Sequence, residues 1–219
     1  MTKGMKHVIV ADGIVGVGKT TLAKLLEKEL GIKLYEEIGS QDTLNLLDRF
    51  YAKKTRWAFT TQIHFLNTRF AQIKEIHKKD GGILDRSIFG DRIFAELLAE
   101  GLEDGGEGMT WEEFRTYDTL LDSMLEHTQA PTLLIYLECD VDTAMQRIAT
   151  RNRGIESEVD RGYWDRLNEK YAKWYEMYDK SPKIKINVAE LDYVNNDEDK
   201  KKVVQIVKDA LIKIGRLQK

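Results

Sequence analysis

The sequence predicts an α/β fold in which helices cover a parallel sheet. Short apolar runs alternate along the chain with long segments of helical periodicity, a pattern typical of strand–helix–strand units. The first apolar run, HVIVA, leads directly into a glycine-rich loop and then into an amphipathic segment, TTLAKLLEKEL. The 219 residues contain no internal repeat or low-complexity linker, so a single domain over 1–219 is expected.

Five strands and seven helices are predicted from these periodicities. The strands are expected at 7–11, 33–36, 83–85, 132–137 and 183–188. The helices are expected at 20–30, roughly 56–77, 94–100, 111–127, 141–151, 163–179 and 197–214. In the helix 163–179, apolar side chains recur every three or four residues and are predicted to face the core: Trp164, Leu167, Tyr171, Trp174 and Tyr178.

Composition and charge disfavour several kinds of partner. A net charge of −3 gives no broad electrostatic attraction to nucleic acid or to an anionic membrane. No segment approaches the roughly 20 apolar residues of a membrane span. The N-terminal apolar run enters the glycine loop without the features of a signal peptide, so the cytoplasm is the expected location. The single cysteine, Cys139, excludes an internal disulfide and a cysteine-based metal site.

The glycine-rich loop matches the phosphate-binding pattern G-x-x-x-x-G-K-[ST] without a gap. Its residues are Gly13, Ile14, Val15, Gly16, Val17, Gly18, Lys19 and Thr20, and Thr21 follows them. Glycines let successive backbone N–H groups surround phosphate oxygens, and the next helix directs its positive end at them. We expect Lys19 to contact the β- and γ-phosphates of ATP and the Thr20 hydroxyl to bind Mg²⁺.

Charged residues follow the second and third strands. The carboxyl ends of strands in an open parallel sheet border the ligand crevice, so these residues are expected near the phosphates. Glu36 and Glu37 follow the second strand, and either could accept the proton of an attacking hydroxyl. The third strand ends in Asp85, a predicted Mg²⁺ ligand, and Arg86, which is expected to stabilise charge on the transferred phosphoryl.

A cluster of arginines lies near the end of the predicted helix 141–151. Arg147 and Arg151 are four residues apart and therefore share a helix face, and Arg153 follows in a glycine-bearing segment. Several arginines in such a segment predict a lid, at about 151–160, that closes over a triphosphate and excludes water.

With these motifs in place, the chain resembles the deoxynucleoside kinase family, especially its bacterial deoxyadenosine/deoxycytidine members. The similar segments run nearly end to end: GIVGVGKTTL, YEEI, FYAKKTRWAFTTQIHFL, DRSIFGDRIFA, LLIYLE, and RIATRNRGIE followed by YW. The resemblance implies a P-loop kinase with a five-stranded parallel sheet and an arginine-rich lid, assembled as a homodimer. It also implies ATP-dependent 5′-phosphorylation of deoxynucleosides, with deoxyadenosine and deoxycytidine favoured.

The resemblance further implies roles at the phosphoryl-transfer end of the site. Glu36 matches the base that acts on the 5′-hydroxyl, and Arg86 matches the arginine at the 5′-oxygen and phosphoryl. Asp85 matches the acidic residue that helps to hold Mg²⁺. Matches to the ATP-binding lid fall on Arg147, Arg151 and Arg153.

The remaining matches concern the nucleoside. Gln62 matches the glutamine that pairs with the base edge, and Asp91 matches an acidic residue that faces the base. An ionised carboxylate only accepts hydrogen bonds, so Asp91 would favour the amino groups of adenine and cytosine. Tyr51 and Glu156 match the pair that binds the 3′-hydroxyl of the sugar.

The chain departs from the family pattern after the second strand. Many relatives have proline after the base glutamate, where this chain has Glu37, and Asn-Pro further on, where it has Gln41-Asp42. The alternative function is a nucleoside monophosphate kinase of the thymidylate type, whose acceptor phosphate Glu37 would repel. A GTP-dependent switch would need an N-K-x-D motif, and no asparagine in the chain is followed by lysine.

Overall fold

The computed structural model describes residues 7–79, 81–150 and 160–217. Its sheet consists of β1 (His7–Asp12), β2 (Leu34–Tyr35), β3 (Gly81–Asp85), β4 (Leu133–Glu138) and β5 (Lys183–Asn187). Every pairing is parallel, and the strand order is β2-β3-β1-β4-β5. The predicted five-stranded parallel sheet is confirmed.

Eight α-helices are present in the described part of the chain. They are α1 (Lys19–Leu30), α2 (Gln41–Ala52), α3 (Lys54–Lys78), α4 (Asp91–Glu103), α5 (Trp111–Leu125), α6 (Val141–Thr150), α7 (Arg161–Met177) and α8 (Asp197–Lys213). A short 3₁₀ turn, Ile88–Gly90, precedes α4. The sequence predicted all of these α-helices except α2, which begins after Ser40. The Ser40 side chain caps α2 by accepting a hydrogen bond of 3.2 Å from the Thr43 N–H.

The central strands and one face of α7 form much of the core around the sheet. β4 is buried over Leu133–Leu137, a nearly continuous apolar run of the kind found in strands covered on both faces. The predicted stripe on α7 is buried at Trp164, Leu167, Tyr171 and Tyr178 and half-buried at Trp174. Its prediction as a core-facing stripe is therefore confirmed.

Backbone contacts divide the chain into two compact units. The first comprises Met1–Glu36, Ile76–Arg86 and Ala130–Lys219 and contains the whole sheet. The second comprises Glu37–Glu75 and Ser87–Gln129 and contains α2, most of α3, α4 and α5. The single domain over 1–219 stays a prediction. Across the described residues, none of the helices has both the length and the apolar character required to cross a membrane.

Candidate active site

The phosphate-binding loop connects β1 to α1, as the sequence predicted. Gly16 and Gly18 have φ values of 82° and 103°, a left-handed region that favours glycine. A Cβ atom on Gly16 would lie 2.5 Å from the carbonyl oxygen of Ala144, which is backbone of α6 and cannot move aside locally. Among the described residues, no side chain caps the first turn of α1, so backbone N–H groups define this helix end.

Lys19 is the first residue of α1 and is buried within the loop. Its Nζ donates hydrogen bonds to the carbonyl oxygens of Gly13, at 2.9 Å, and Ile14, at 2.7 Å. These contacts hold the ammonium group against the loop backbone. A positive charge fixed in this way suits the contact with phosphate oxygens that the motif predicts.

The opposite side of the loop is held by side chains from α6 and from the segment after β5. The Tyr193 hydroxyl donates a buried hydrogen bond of 3.0 Å to the Val17 carbonyl. Arg147 donates to the same carbonyl at 3.4 Å, and its other terminal nitrogen donates to Val188 at 2.8 Å and Leu191 at 3.3 Å. Arg147 therefore supports the loop through backbone carbonyls, and its predicted contact with ATP stays a prediction.

Thr20 and Asp85 lie side by side at the carboxyl edge of the sheet. The Thr20 hydroxyl donates a hydrogen bond of 2.6 Å to the Asp85 carboxylate. β3, which ends at Asp85, pairs directly with β1, which ends beside the loop. A hydroxyl and a carboxylate are hard oxygen ligands, and Mg²⁺ at phosphate sites commonly takes one or two such groups. The two residues therefore fit the metal that the sequence predicted for them.

Arg86 has an unusual backbone conformation. Its φ of 88° is left-handed, and it is the one non-glycine residue with positive φ among those described. For an ordinary side chain this region costs about 1–2 kcal/mol. The Arg86 N–H donates to the Ala11 carbonyl at 2.9 Å, and Nη1 donates to the Tyr171 hydroxyl at 2.6 Å. Residues held in such strain cluster at functional sites.

Glu36 forms a solvent-exposed ion pair at the end of β2. Its carboxylate lies 3.0 Å from Nζ of Lys24 on α1, and the two side chains are 41% and 58% exposed. Ion pairs at this level of exposure contribute about 0–1 kcal/mol. The pair with Lys24 can therefore be broken at little cost, and the predicted role of Glu36 as a proton acceptor stays a prediction.

In the second unit, a buried arginine joins two carboxylates. Nη1 of Arg69 lies 2.8 Å from the carboxylate of Asp91, and Nη2 lies 2.5 Å from that of Glu37. Arg69 is 4% exposed, Asp91 is 5% exposed and Glu37 is 21% exposed. We call these three residues the Arg69 cluster. Its formal charge is −1, because one guanidinium faces two carboxylates.

Sequence reasoning missed Arg69. It lies seven residues after Gln62 on α3, which places both side chains on one face of the helix two turns apart. Gln62 is itself buried. The spacing was available in the sequence, but nothing in the sequence indicated that Arg69 would be buried and paired.

Tyr117 on α5 lies close enough to Asp91 for its pKa to respond to the charge of that carboxylate. Its side chain is fully buried. Burial raises the pKa of Tyr117 well above its usual value, and the negative charge of Asp91 raises this pKa further. Asp91 is the first residue of α4, where the helix dipole favours a negative charge. A carboxylate in this setting accepts hydrogen bonds, as the predicted contact with the base requires.

The structure leaves several predicted roles untested. Tyr51 is half-buried on α2, and its contact with the sugar stays a prediction. Arg151, Arg153, Glu156 and most of the predicted lid, at about 151–160, lie outside the described residues.

The fold and the loop together define a class. A phosphate-binding loop between the first strand and first helix of an all-parallel sheet, with a Thr–Asp pair at the strand ends, is the framework of a P-loop nucleotide-binding protein. Comparisons with known proteins narrow this class.

The family model for deoxynucleoside kinases matches residues 9–213. The chain is 36% identical to a deoxyguanosine kinase of Lactobacillus acidophilus, over 96% of this chain and 93% of the relative. It is 34% identical to a deoxyadenosine/deoxycytidine kinase of Bacillus subtilis, over 93% of each. The structure of deoxyadenosine kinase from M. mycoides with bound dATP is similar, with a TM-score of 0.77 and 25% identity, over 94% of this chain and 99% of that one.

The chain therefore belongs to the deoxynucleoside kinase family, as its motifs predicted. The alternative of a thymidylate-type kinase is not favoured. Relatives that differ in the named base are similar to this chain to nearly the same degree. The percentage of identical residues therefore does not show which nucleobase this chain prefers, and that preference depends on the residues of the site.

Proposed function

We propose that this chain transfers the γ-phosphoryl of ATP to the 5′-hydroxyl of a 2′-deoxynucleoside, with deoxyadenosine and deoxycytidine preferred. The observation that carries the proposal is the Thr20–Asp85 hydrogen bond of 2.6 Å at the start of α1. This bond joins the phosphate-binding loop to the end of β3, and the strained Arg86 follows directly after that strand. Phosphoryl transfer requires groups that bind phosphate, neutralise charge and accept a proton, and this unit supplies candidates for each.

In the proposed reaction, Glu36 accepts the proton of the 5′-hydroxyl. The 5′-oxygen forms a bond to the γ-phosphorus while the bond to the β–γ bridging oxygen breaks, and ADP leaves. Lys19 and the N–H groups of the loop hold the β- and γ-phosphates, and Arg86 stabilises the charge on the transferring group. Thr20 and Asp85 would hold Mg²⁺, which supplies charge neutralisation on the phosphates when bound.

The base preference rests on hydrogen-bond polarity in the second unit. Adenine and cytosine each present a ring nitrogen that accepts and an amino group that donates, and the Gln62 amide can pair with that edge. Gln62 alone does not discriminate, because its flipped amide would pair equally well with thymine. Asp91 accepts only, and its net-negative cluster with Arg69 and Glu37 favours an amino group over O6 of guanine or O4 of thymine. A hydrogen bond from an amino group to this charged acceptor contributes about 1.5–3 kcal/mol, which corresponds to roughly tenfold discrimination or more.

Other parts of the proposal rest on the family resemblance. Tyr51 and Glu156 would clamp the 3′-hydroxyl, and Arg147, Arg151 and Arg153 would contact ATP as the lid closes. A cytoplasmic homodimer is proposed on the same ground, and light scattering coupled to size exclusion would test the dimer by its mass.

One assay tests the activity and its alternative together. The full chain receives γ-labelled ATP and Mg²⁺ with dA, dC, dG, thymidine, dTMP or DNA in turn, and labelled product is counted. We expect dA and dC to be the best acceptors, dG to be poorer and thymidine poorest. Labelling of dTMP alone would indicate a monophosphate kinase and reject the proposal, and thymidine as the best acceptor would reject the base preference.

A further inference from the structure

The Tyr171 side chain on α7 connects two parts of the phosphoryl-transfer region. Its hydroxyl accepts a hydrogen bond of 2.6 Å from Nη1 of Arg86 and donates one of 3.0 Å to Oδ1 of Asp12. Asp12 ends β1, and its Oδ1 also accepts from the N–H of Gly13, the first residue of the phosphate-binding loop, at 2.8 Å. All of these side chains are buried.

The polarity of this chain of hydrogen bonds is fixed by its two ends. A guanidinium only donates and a carboxylate only accepts, so the single hydroxyl proton of Tyr171 points to Asp12 and its lone pairs face Arg86. The hydroxyl is neutral, so this contact fixes the direction of the guanidinium without placing another negative charge beside it. Asp12, which is bound to the loop backbone, in turn fixes the hydroxyl.

We infer that Tyr171 is a positioning residue, which aims the Arg86 guanidinium at the transferring phosphoryl and ties its position to the phosphate-binding loop. The left-handed backbone of Arg86 supports this inference, because an unfavourable backbone persists where the direction of the side chain matters. The inference rests on the proposed phosphoryl transfer and adds to it a residue that touches neither substrate.

The role of the Tyr171 hydroxyl can be separated from that of its ring. The ring stacks on Tyr136, with centroids 6.4 Å apart and planes 11° apart, and meets Trp174 edge to face at 5.9 Å. Phenylalanine keeps both ring contacts and removes only the oxygen. Tyr175, one turn further along α7, also stacks on Tyr136, at 4.9 Å, so Tyr175→Phe is a matched control.

The experiment measures kcat and KM for ATP and deoxyadenosine in the full chain. A misplacement of about 1 Å at a reacting group can lower the rate by roughly 100-fold, so we expect Tyr171→Phe to lower kcat by about 10- to 100-fold. We expect both KM values to change by less than about threefold, because the contact acts on the step after binding. Tyr175→Phe should keep kcat close to that of the unchanged chain.

A double-mutant cycle then tests whether Tyr171 acts through Arg86. Arg86→Ala should lower kcat strongly, and adding Tyr171→Phe should lower it by less than about twofold more. Full activity of Arg86→Ala would refute the proposed role of Arg86. Two other outcomes would overturn the inference about Tyr171 alone. In the first, Arg86→Ala lowers kcat but Tyr171→Phe leaves it normal. In the second, Tyr171→Phe lowers kcat by the same factor with and without Arg86→Ala.

Thermal melting establishes first that each variant folds. If Tyr171→Phe does not fold, Asp12→Asn replaces it in the same cycle, because it leaves the rings of α7 intact and removes the charge that anchors the hydroxyl. The inference then predicts that the effect of Asp12→Asn on kcat shrinks in the Arg86→Ala background, and a fully additive result would overturn it.

Discussion

Asp91→Asn tests whether the Arg69 cluster discriminates between the bases of the nucleoside substrates. The substitution preserves the shape of the side chain but removes one charge-assisted hydrogen bond to Arg69, of the kind that contributes about 1.5–3 kcal/mol. Glu37 remains on the other terminal nitrogen of Arg69, so the loss should stay below the roughly 3–5 kcal/mol of an orphaned buried charge. For a chain of this size, the melting temperature should fall by about 3–12 °C.

The same change should reduce discrimination between bases. An amide both donates and accepts, so the substituted side chain would no longer exclude the O6 atom of guanine or the O4 atom of thymine. A neutral acceptor weakens the hydrogen bond from the adenine amino group, and the new donor admits guanine, so we expect the two effects together to amount to about 10- to 100-fold. The assay measures kcat/KM for all four deoxynucleosides at saturating ATP, and the ratio of deoxyadenosine to deoxyguanosine should fall by that factor.

Asp118→Asn is the matched control. Asp118 lies on α5 in the same unit, and its carboxylate pairs at 2.9 Å with Arg92, which is 53% exposed. Asp118 is 21% exposed, but its partner Arg92 reaches solvent, so we expect this pair to contribute about 0–1 kcal/mol. This variant should therefore melt close to the unchanged chain and keep its base ranking. An unchanged ranking in Asp91→Asn, or an equal change in Asp118→Asn, would show that Asp91 does not read the base.

Four further substitutions test the rest of the site. Lys19→Ala should retain the circular dichroism spectrum but lose ATP affinity and turnover, and unchanged ATP titration and turnover would reject the phosphate-loop assignment. Glu36→Gln should lower kcat by about 10²–10⁴-fold with little change in nucleoside affinity, as expected for a lost general base. If Glu37→Gln shows that loss and Glu36→Gln does not, the base is Glu37. Tyr51→Phe should raise KM for deoxyadenosine and ease acceptance of 3′-deoxy analogues. Adenosine as good a substrate as deoxyadenosine would refute the preference for 2′-deoxy sugars.

The sequence predicted the sheet and the phosphate-binding loop because both depend on local patterns. The loop motif is contiguous, and β1 and β4 are short runs of mostly apolar residues. Helix α2 was missed although Leu44, Leu47 and Tyr51 recur at helical spacings of three and four residues. In the structure Thr43 is its one buried residue and Leu44 is 43% exposed, so α2 contributes little to the core. Ser40, followed by an acidic first turn, was the remaining indication of its start.

The Arg69 cluster lay beyond sequence reasoning because its contacts are distant along the chain. Arg69 is 32 residues from Glu37 and 22 from Asp91. An arginine on a long helix is ordinarily solvated, and the two carboxylates help to make its burial tolerable. Ion pairs between residues so far apart cannot be derived from the periodicity of a single sequence. The spacing of seven residues from Gln62 to Arg69 shows only that the two side chains share a helix face.

Glu36 and Glu37 illustrate how environment separates two identical neighbours. The sequence left both as candidate bases, because either could face the phosphates. A general base needs an oxygen atom that can turn towards the substrate hydroxyl, and a weak resting contact leaves one available. Glu36 pairs with Lys24 at the surface, where the pair contributes about 0–1 kcal/mol. Glu37 holds the buried Arg69, and releasing such a partner costs about 3–5 kcal/mol. The difference supports the proposal that Glu36 is the base, whereas Glu37 holds the arginine that pairs with Asp91.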